Sequence, residues 1–370
     1  MKVLHLHKLT GVSGSEGHLL ALLPALRQSG VDARFLGLDV PGTDAALFYE
    51  RLDQLQVPYR RVRCGFDVSP RLARDVVRAV SADRPDLLHT HLVHGDVYGS
   101  IAGSLTRTPV ISTRHNDDRY LLGPFRYVDR AFARPVRRLI AISDAVRVFL
   151  EAAGHHARKL TTIRYGLDEV PAAPSVPTPA QAGVPDGAPL AVAVGRLIAQ
   201  KDHATLLRAF ALVHERLPDA RLAILGSGPL EVETRALVRE LGLEGAVSLP
   251  GRTEIRDWLE RADVFVHTSR WEGFGIVLLE AMLAGLPVVA TRVSAVPEIV
   301  VPGETGALVE AGDVDGVARE LTTLLGDAEL RSRLGAAGRE RARTEFSVAR
   351  MAGRTIEVYE DVLGSRLIRA

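Results

Sequence analysis

The sequence predicts an α/β protein made of two consecutive halves, each containing a mostly parallel sheet covered by helices. Short apolar runs alternate with amphipathic stretches along both halves, and this alternation is typical of parallel sheets with helical crossovers. A segment with six prolines between positions 170 and 189 separates the halves. The length of 370 residues suits about two domains of ordinary size.

In the first half, predicted strands alternate with stretches of helical periodicity. Residues 3–7 form the first strand, a glycine-rich loop follows at 11–17, and residues 18–29 read as an amphipathic helix. Ser143 is a favourable N-cap residue for a later helix. The other predicted elements are strands at 31–38, 87–89, 109–112 and 138–142 and helices at 70–80 and 95–105.

The second half repeats this pattern after the proline-rich segment, which we interpret as a linker. The predicted elements are strands at 190–194, 221–225, 264–268 and 287–290 and helices at 202–216, 276–284 and 328–363. One architecture used twice, without a short-period repeat, is typical of a duplicated nucleotide-binding fold.

Composition and charge exclude several classes of protein. Hydrophobic residues make up 46% and charged residues 25% of the chain, which indicates a globular protein. The net charge of +1 argues against a dedicated nucleic-acid binder. The first 170 residues hold 24 basic and 18 acidic residues, a net +6, and the remainder holds 22 and 27, a net −5. The single cysteine, Cys64, excludes an internal disulfide and a thiolate metal cluster.

The sequence shows neither a targeting segment nor a membrane span. His5, His7 and Lys8 interrupt the start of the chain before a signal-peptide core could form. Apolar runs of about 18 residues, the length that crosses a bilayer, do not occur. We therefore expect a cytoplasmic protein.

Glycines and basic residues mark two candidate phosphate sites. Gly11, Gly14 and Gly17 precede a helix, where backbone N–H groups can bind an anion; a flexible loop is the alternative. Arg196 closes a buried strand and Lys201 precedes a helix, at the edge where open α/β sheets bind ligands. An Arg with a Lys suits the charge of a departing diphosphate, although two solvated loop charges would give the same pattern.

Two glutamates eight positions apart form the sharpest motif. Glu272 follows a predicted strand, Gly273 and Gly275 open a helix, and Glu280 lies about two turns along it. Small residues let a ligand approach the N–H groups at the helix start, while carboxylates accept hydrogen bonds from hydroxyls. Glycines at a helix start together with two carboxylates could bind the phosphates and the hydroxyls of a sugar nucleotide. The alternative is one glutamate that favours the helix dipole and one on the surface, but Glu280 lies in the apolar stretch 276–283.

Histidines of the first half suggest a competing metal site. His89, His91 and His94 lie within six residues after a predicted strand, and such spacing can ligate a metal in a hydrolase. His115 follows the next predicted strand and is either functional or an exposed loop residue. The acidic residues at 313–315 open a helix, and we interpret them as an N-cap rather than a metal motif.

The motif around Glu272 and Glu280, with the glycines between them, resembles that of the E-x7-E retaining glycosyltransferases of the GT-B fold, family four (group 1). The resemblance covers nearly the whole chain. Further segments that resemble the family are Ser13–Glu16, Gly195-Arg196 with Lys201, Gly226–Pro229, Leu249–Arg252, Val296–Glu298 and Gly303–Gly306.

The resemblance implies a particular α/β architecture. Two Rossmann-like β/α/β domains would face each other across a cleft, and the C-terminal helix would cross back to the N-terminal domain. The implied acceptor-binding domain is 1–170 with the helix at about 350–370, and the implied nucleotide-sugar-binding domain is 171–349.

The resemblance also implies the chemistry. A sugar would move with retention from a nucleotide-diphosphate sugar to the hydroxyl of a sugar, lipid-linked or small-molecule acceptor, without cofactor or metal. The implied catalytic residues are Arg196, Lys201, Glu272 and His115. The implied donor-binding residues are Gly14, Glu16, Gly195, Arg252, Gly273, Phe274, Gly275, Ile276 and Glu280.

Three segments depart from the family pattern. Ser13 replaces the first glycine of the N-terminal loop, Ser294 and Ala295 replace a pair of glycines, and Tyr165 replaces an asparagine. We expect the contacts of these loops to differ from those of the family.

Other classes remain open from the sequence. A sugar-nucleotide epimerase or hydrolase would share the fold, and a metal-dependent hydrolase would use His89, His91 and His94. The stretch 119–138 mixes arginines with aromatic residues. A solvated surface helix is the simpler interpretation of that stretch, and peripheral contact with the inner face of a membrane is the alternative.

Overall fold

The computed structural model describes residues 1–9, 14–43, 45–65, 69–117, 119–169 and 176–367. The chain divides into two compact units. The first comprises Met1–Gly166 and the chain from Ser347 onward, and the second comprises Leu167–Phe346. Among the described residues, the helices all fall short of the length and apolar character needed to cross a bilayer.

The described residues of the first unit form a seven-stranded sheet in the order β3-β2-β1-β4-β5-β6-β7, with all neighbours parallel. Its strands are β1 (Lys2–Leu9), β2 (Asp32–Asp39), β3 (Tyr59–Arg63), β4 (Leu87–His91), β5 (Val110–Arg114), β6 (Val136–Ala141) and β7 (Leu160–Thr162). Its helices are α1 (Gly14–Gln28), α2 (Ala46–Gln54), α3 (Pro70–Asp83), α4 (Leu92–Thr106), α5 (Phe125–Phe132) and α6 (Asp144–Ala152).

The second unit repeats this strand order in a six-stranded parallel sheet, β10-β9-β8-β11-β12-β13, within the residues described. The strands are β8 (Leu190–Val194), β9 (Arg221–Leu225), β10 (Val247–Gly251), β11 (Val264–His267), β12 (Val288–Thr291) and β13 (Gly306–Val309). The helices are α7 (His203–Arg216), α8 (Glu231–Glu240), α9 (Arg256–Arg261), α10 (Ile276–Leu283), α11 (Val296–Ile299), α12 (Val314–Gly326) and α13 (Ala328–Glu345).

The last helix, α14 (Val348–Leu367), packs on the first unit. Its buried residues Met351, Val358, Tyr359 and Val362 recur at helical spacing and join the apolar core of that unit, which also contains the buried leucines of α1. A single apolar stripe of this kind fixes which face of a helix turns inward. The prediction that the C-terminal helix returns to the first unit is confirmed.

Several predicted elements differ from the structure. The predicted helix at 328–363 is two helices, because the chain breaks at Phe346, a buried residue whose ring packs edge-to-face on Phe274 at 6.0 Å between ring centroids. The helix α1 begins at Gly14 rather than at 18, and residues 10–13 lie outside the described part. The short strands β3, β7, β10 and β13 were not predicted, since they lack a long apolar run.

Two predictions about loops and caps are decided by hydrogen bonds. Asp313 accepts the Gly316 N–H at 2.8 Å and is an N-cap of α12, as predicted, and Ser143 accepts the Val146 N–H at 3.1 Å. The predicted linker was partly wrong. From Val176 onward it belongs to the second unit, where the Trp258 indole donates to the Pro177 carbonyl at 3.1 Å.

Candidate active site

The carboxyl ends of β8 and β11 meet at the centre of the second sheet. The strand β8 has β9 on one side and β11 on the other, so the strand order reverses there, and open α/β sheets bind ligands at such a point. The loop after β8 carries Gly195, Arg196 and Lys201, and the loop after β11 carries Glu272. The topology therefore brings the predicted residues of two distant segments to one edge.

Lys201, Glu272 and His267 form a compact ionic group at this edge. The Lys201 ammonium pairs with Glu272 Oε2, and His267 Nε2 lies 3.1 Å from the same oxygen. The side chains of Lys201 and Glu272 are only 16% and 13% exposed, so water screens the pair weakly. The sequence analysis missed His267, which ends β11 and looked like part of an ordinary strand.

The pKa of Glu272 shows which effect dominates in this group. Burial alone would raise it, but the hydrogen bond from His267 and the positive charge of Lys201 outweigh burial and lower the pKa to about 2. Burial and the Lys201 charge lower the pKa of His267. At neutral pH the group therefore consists of an ammonium, a carboxylate and a neutral imidazole that donates from Nε2.

Contacts between the two loops hold this ionic group in place. Arg270 Nε donates to Asp202 Oδ2 at 3.0 Å, and the Arg270 N–H donates to the Gln200 carbonyl at 2.8 Å. The Gln200 amide in turn donates to the Trp271 carbonyl at 2.9 Å. These bonds flank Lys201 on one loop and Glu272 on the other, so they fix the separation of the two charges.

A glycine-rich loop after β9 supports the Arg196 segment. A Cβ on Gly226 would lie 2.0 Å from the Gly195 carbonyl oxygen, and one on Gly228 would lie 2.4 Å from that of Leu197. Both distances are shorter than real Cβ contacts. The loop predicted from its resemblance at 226–229 therefore requires glycines because it packs directly on the backbone that carries Arg196.

The helix α10 presents its N-terminus to the same edge. Gly275 precedes it with φ +93°, a conformation that favours glycine. Phe274 is buried and Ile276 begins the helix. Glu280 is half-buried on the helix, and burial together with the charge of Glu254 raises its pKa to about 8.

Two arginines near this edge are exposed. Arg196 follows β8, and it has no ion-pair partner among the residues that the structure describes. Arg252 directly follows the edge strand β10. Exposed guanidinium groups beside a helix N-terminus can bind a phosphate-bearing ligand.

The carboxyl edge of the first sheet carries a different arrangement, a chain of hydrogen-bonded histidines. We call it the histidine chain; in order along the bonds its members are Thr113, His89, Tyr359, His5, His91, His115 and Tyr165. All seven are buried, with relative exposures of 0–5%.

Successive members of the histidine chain are in hydrogen-bond contact. His89 lies 2.7 Å from Thr113 and 2.7 Å from Tyr359, and Tyr359 lies 3.2 Å from His5. His91 lies 3.0 Å from both His5 and His115. The Tyr165 hydroxyl bonds to His115 Nδ1 and closes the chain.

Every imidazole of the histidine chain uses both ring nitrogens, so the chain is satisfied when all four are neutral. Each ring then donates from one nitrogen and accepts at the other, in either direction along the chain. Burial lowers the pKa of His5 to about 3, and burial and neighbouring histidines lower those of His89, His91 and His115 well below the usual value. The chain is therefore neutral at physiological pH.

The metal interpretation of the histidines was wrong about the set. Among the described residues, the trio with nitrogens within 4.8 Å of one another is His5, His89 and His91. His94 lies in the first turn of α4 and is half-buried. The six ring nitrogens of this trio are already hydrogen-bonded: His5 and His91 bond to each other, and the remaining nitrogens bond to Tyr359, Thr113 and His115.

The loop residues predicted near α1 lie beside the histidine chain. Glu16 is 2% exposed and its carboxylate lies 3.1 Å from His7 Nε2, and Ser15 donates to it at 3.0 Å. Gly14 begins α1 and is exposed. His18 stacks on Tyr165 at 4.3 Å between ring centroids. Glu16 is thus held by its own unit, a role that its sequence position alone did not indicate.

A buried arginine anchors the backbone that bears His115. Arg114 ends β5 and its guanidinium lies 2.8 Å from both Asp96 and Asp129. His155 lies 2.8 Å from the second oxygen of Asp129. Removing one member of a buried ion pair leaves an uncompensated charge, so this network ties α4, α5 and β5 together.

Comparisons with known proteins identify the family and agree with this fold. The family model "Glycosyl transferases group 1" matches residues 177–341, and the model "Glycosyltransferase Family 4" matches residues 12–170. The fold is that of the GT-B glycosyltransferases: the crystal structure of Anabaena Alr3699/HepE in complex with UDP and glucose has a TM-score of 0.83 at 24% identity, covering 98% of this chain and 100% of that one.

Sequence relatives that align with nearly the whole chain establish its family. Alpha-maltose-1-phosphate synthase of Mycobacterium tuberculosis is 30% identical over an alignment 383 positions long, gaps included, that covers 94% of this chain and 95% of that protein. Phosphatidyl-myo-inositol mannosyltransferase of Mycobacterium leprae is 30% identical over 362 residues, covering 95% and 94%. The chain belongs to the group 1 glycosyltransferases, family four. This membership favours a glycosyltransferase over the epimerase and hydrolase alternatives.

Proposed function

We propose that the protein is a retaining glycosyltransferase that moves a sugar from a nucleotide-diphosphate sugar to an acceptor hydroxyl without a metal ion. The second unit would bind the donor and the first unit the acceptor. The observation that carries the proposal is the ionic group of Lys201, Glu272 and His267 beside the exposed Arg196, at the strand-order reversal of the second sheet.

The proposed roles follow from the charges of these groups. Arg196 and Lys201 would neutralise the leaving diphosphate, and the ammonium has three donors, so it can hold Glu272 and a phosphate oxygen together. The Glu272 carboxylate, ionised throughout the physiological range, would accept hydrogen bonds from donor-sugar hydroxyls. Gly273, Gly275 and the N-terminus of α10 would let phosphate oxygens approach backbone N–H groups.

The bond changes balance without a protein nucleophile. The bond between the anomeric carbon and the diphosphate oxygen breaks, and a bond from that carbon to the acceptor oxygen forms on the same face. The acceptor proton passes to an oxygen of the departing diphosphate. The products are a glycoside and a nucleoside diphosphate.

We infer that the donor is a nucleotide sugar, from the relatives as well as from the geometry of the site. The Anabaena protein was crystallised with UDP and glucose and with UDP-glucose, and the Mycobacterium leprae relative is named a mannosyltransferase. A panel of nucleotide sugars in a thermal-shift assay tests the donor. A ligand at 100 times its dissociation constant stabilises a fold by about 2.7 kcal/mol. A panel without any stabilising member would contradict the proposed function.

Retention and metal independence have separate tests. Proton NMR of the first product should show the anomeric configuration of the donor sugar, and an inverted product would reject retention. Turnover should survive exhaustive treatment with EDTA, since two cations of the chain supply the charge at the diphosphate. Loss of turnover that Mg²⁺ or Mn²⁺ restores would show that a metal takes part.

The acceptor class includes a lipid-linked acceptor at a membrane surface. The helix α5 exposes Phe125, Tyr127 and Val128 by 45%, 60% and 44%, and exposed apolar side chains can enter a lipid interface. Co-sedimentation with vesicles should fall for Phe125→Ser with Val128→Ser. Equal sedimentation of the wild type and this variant would reject contact through α5.

A further inference from the structure

A groove of about 1050 Å³ lies at the amino-terminal edge of the first sheet. It is lined by the residues that precede or begin β5 and β6, by residues that precede β7, and by Asp361 and Val362 of α14. The volume is at the upper end of the range of small-molecule sites.

The lining of this groove is strongly basic. Its cationic members are Arg107, Arg134, Arg137, Arg138, Arg158 and Lys159. Among the described residues, its one carboxylate is Asp361, which accepts from Arg138 at 2.6 Å. The lining therefore carries a net charge of +5, although the whole chain carries only +1.

Three guanidinium groups of the groove are solvent-exposed. Arg134, Arg137 and Arg158 form no ion pair with any residue in the described part of the chain. Lys159 lies between them and donates to the carbonyls of Arg134 at 3.0 Å and Val136 at 2.8 Å. Burial, together with the charges of Arg137 and Arg158, lowers the pKa of Lys159. The like charges thus repel one another, and an anion in the groove would relieve this repulsion.

The groove lies at the opposite edge of the sheet from His115, although Tyr359 and Asp361 belong to the same helix. All strands of the sheet are parallel, so residues that precede β5 and residues that follow it lie at opposite edges. The strand β5 has five residues, and at about 3.3 Å per residue the edges are ~16 Å apart. His115 follows β5 and Arg107 precedes it, so the groove is separate from the edge described above.

We propose that this groove binds an anion that carries several phosphate charges. Guanidinium groups form paired hydrogen bonds to phosphate oxygens, and five of the six cations are arginines. The ligand chemistry has two sources, a free polyphosphate compound and the phosphate headgroup of a lipid. Asp361 competes with such a ligand for Arg138.

The decisive experiment measures binding of inorganic tripolyphosphate by calorimetry in 0.15 M NaCl. The variant Arg134→Glu with Arg137→Glu should lose at least tenfold in affinity. Arg60→Glu with Arg63→Glu is the matched control, because both residues are exposed on the distant edge strand β3 and the change in net charge is the same. Equal affinity in the two double variants would overturn the proposal.

Two further variants test whether the anion binds in the groove. Asp361→Asn should raise the affinity for tripolyphosphate several-fold, because it frees Arg138. An unchanged affinity would contradict the proposed binding position of the anion beside Arg138. Arg196→Ala removes a cation of the proposed donor site, so binding that survives this variant belongs to the groove. Binding abolished by Arg196→Ala alone would overturn the groove proposal and leave the donor site supported.

A second arm distinguishes the sources of phosphate. Vesicles of phosphatidylcholine that contain about 30% of the anionic lipid phosphatidylglycerol are compared with pure phosphatidylcholine vesicles. Binding that needs both the anionic lipid and the groove arginines would assign a headgroup. Tripolyphosphate binding without vesicle binding would assign a free compound. If neither tripolyphosphate nor the anionic vesicles bind through the groove, the proposal is rejected.

Discussion

His91 and His267 end equivalent strands, β4 and β11, in two sheets that share one strand order. Their surroundings are opposite. His91 lies between His5 and His115 in a chain of neutral side chains, whereas His267 contacts the Glu272 carboxylate that pairs with Lys201. One architecture therefore carries a neutral buried network at one carboxyl edge and a charged group at the other.

This difference indicates a division of labour. In the proposed function the groups near the diphosphate must keep their charges, and at the second edge the His267 hydrogen bond and the Lys201 charge keep Glu272 ionised. A buried network without net charge suits uncharged hydroxyls, and the first edge holds its imidazoles neutral by burial. The following predictions test whether the two edges behave as different electrostatic environments.

The largest effect is expected at the charged edge. Lys201→Ala should lower kcat/KM by about 10²–10³-fold, since it removes one preorganised charge at the proposed leaving group. It should also raise the pKa of Glu272, because the Lys201 charge helps to lower it. Steady-state kinetics across pH 4–8 measures both effects, and the acidic limb should move to higher pH.

A matched control separates charge from general disturbance. Arg319→Ala removes an exposed cation of α12 in the same unit and should leave kcat/KM within a factor of two, a difference of about 0.4 kcal/mol. If Lys201→Ala retained wild-type turnover, the charged edge would not be the site of the diphosphate.

At the neutral edge, we expect a loss of stability. Tyr359→Phe removes the hydroxyl that bonds to His5 and His89, and it leaves a nitrogen of each ring without a partner. An unsatisfied buried polar group costs about 1–3 kcal/mol, so urea unfolding should show a loss in that range. Tyr127→Phe, at a tyrosine that is 60% exposed, is the control. Identical unfolding midpoints for wild type and Tyr359→Phe would show that the histidine chain is not closed by this hydroxyl.

The sequence predicted the charged edge better than the neutral one. Arg196, Lys201 and Glu272 belong to local motifs that follow strands, and parallel strands bring such loops to one edge. His5, His91 and Tyr359 come together through β1, β4 and α14, and no local spacing encodes a contact across 354 residues. The alternation of strands and helices predicted the fold, whereas short polar strands such as β3 carried too little apolar signal.

The next largest effect is expected in the pH dependence of donor binding, which Glu280 would control. Its pKa in the free protein is raised to about 8 by burial and by Glu254. If ribose hydroxyls donate to the ionised carboxylate, binding of a nucleotide sugar releases a proton. The dissociation constant should then fall by up to ~10-fold per pH unit as pH rises toward 8, and level off above it. Calorimetry between pH 6.5 and 9 measures this.

The same shift predicts a stability profile. Because the folded pKa of Glu280 exceeds its ordinary value, the folded state binds the proton more tightly, and stability should fall as pH rises from about 4.5 to 8. Glu280→Gln should flatten this contribution and the pH dependence of binding. A wild type whose donor affinity is independent of pH would reject the ribose assignment.

The smallest effect is expected at Ser294, which holds the Glu272 loop by one bond. Ser294 has φ +43°, a strained conformation for a residue other than glycine, and its Oγ accepts the Glu272 N–H at 3.3 Å. Ser294→Gly relieves strain of about 1 kcal/mol and loses a bond of ~0.5–1.5 kcal/mol, so its stability should remain near that of wild type. Ser294→Ala keeps the strain and loses the bond, so it should be less stable than Ser294→Gly by about 1 kcal/mol. Both variants remove the bond to the Glu272 N–H and leave its carbonyl with the weak 3.5 Å contact to the Ala295 N–H, so we expect KM for the donor to rise a few-fold while kcat holds. Urea unfolding and donor kinetics test this pair; a fall in kcat of the kind expected for Lys201→Ala would instead place Ser294 in direct contact with the reacting groups.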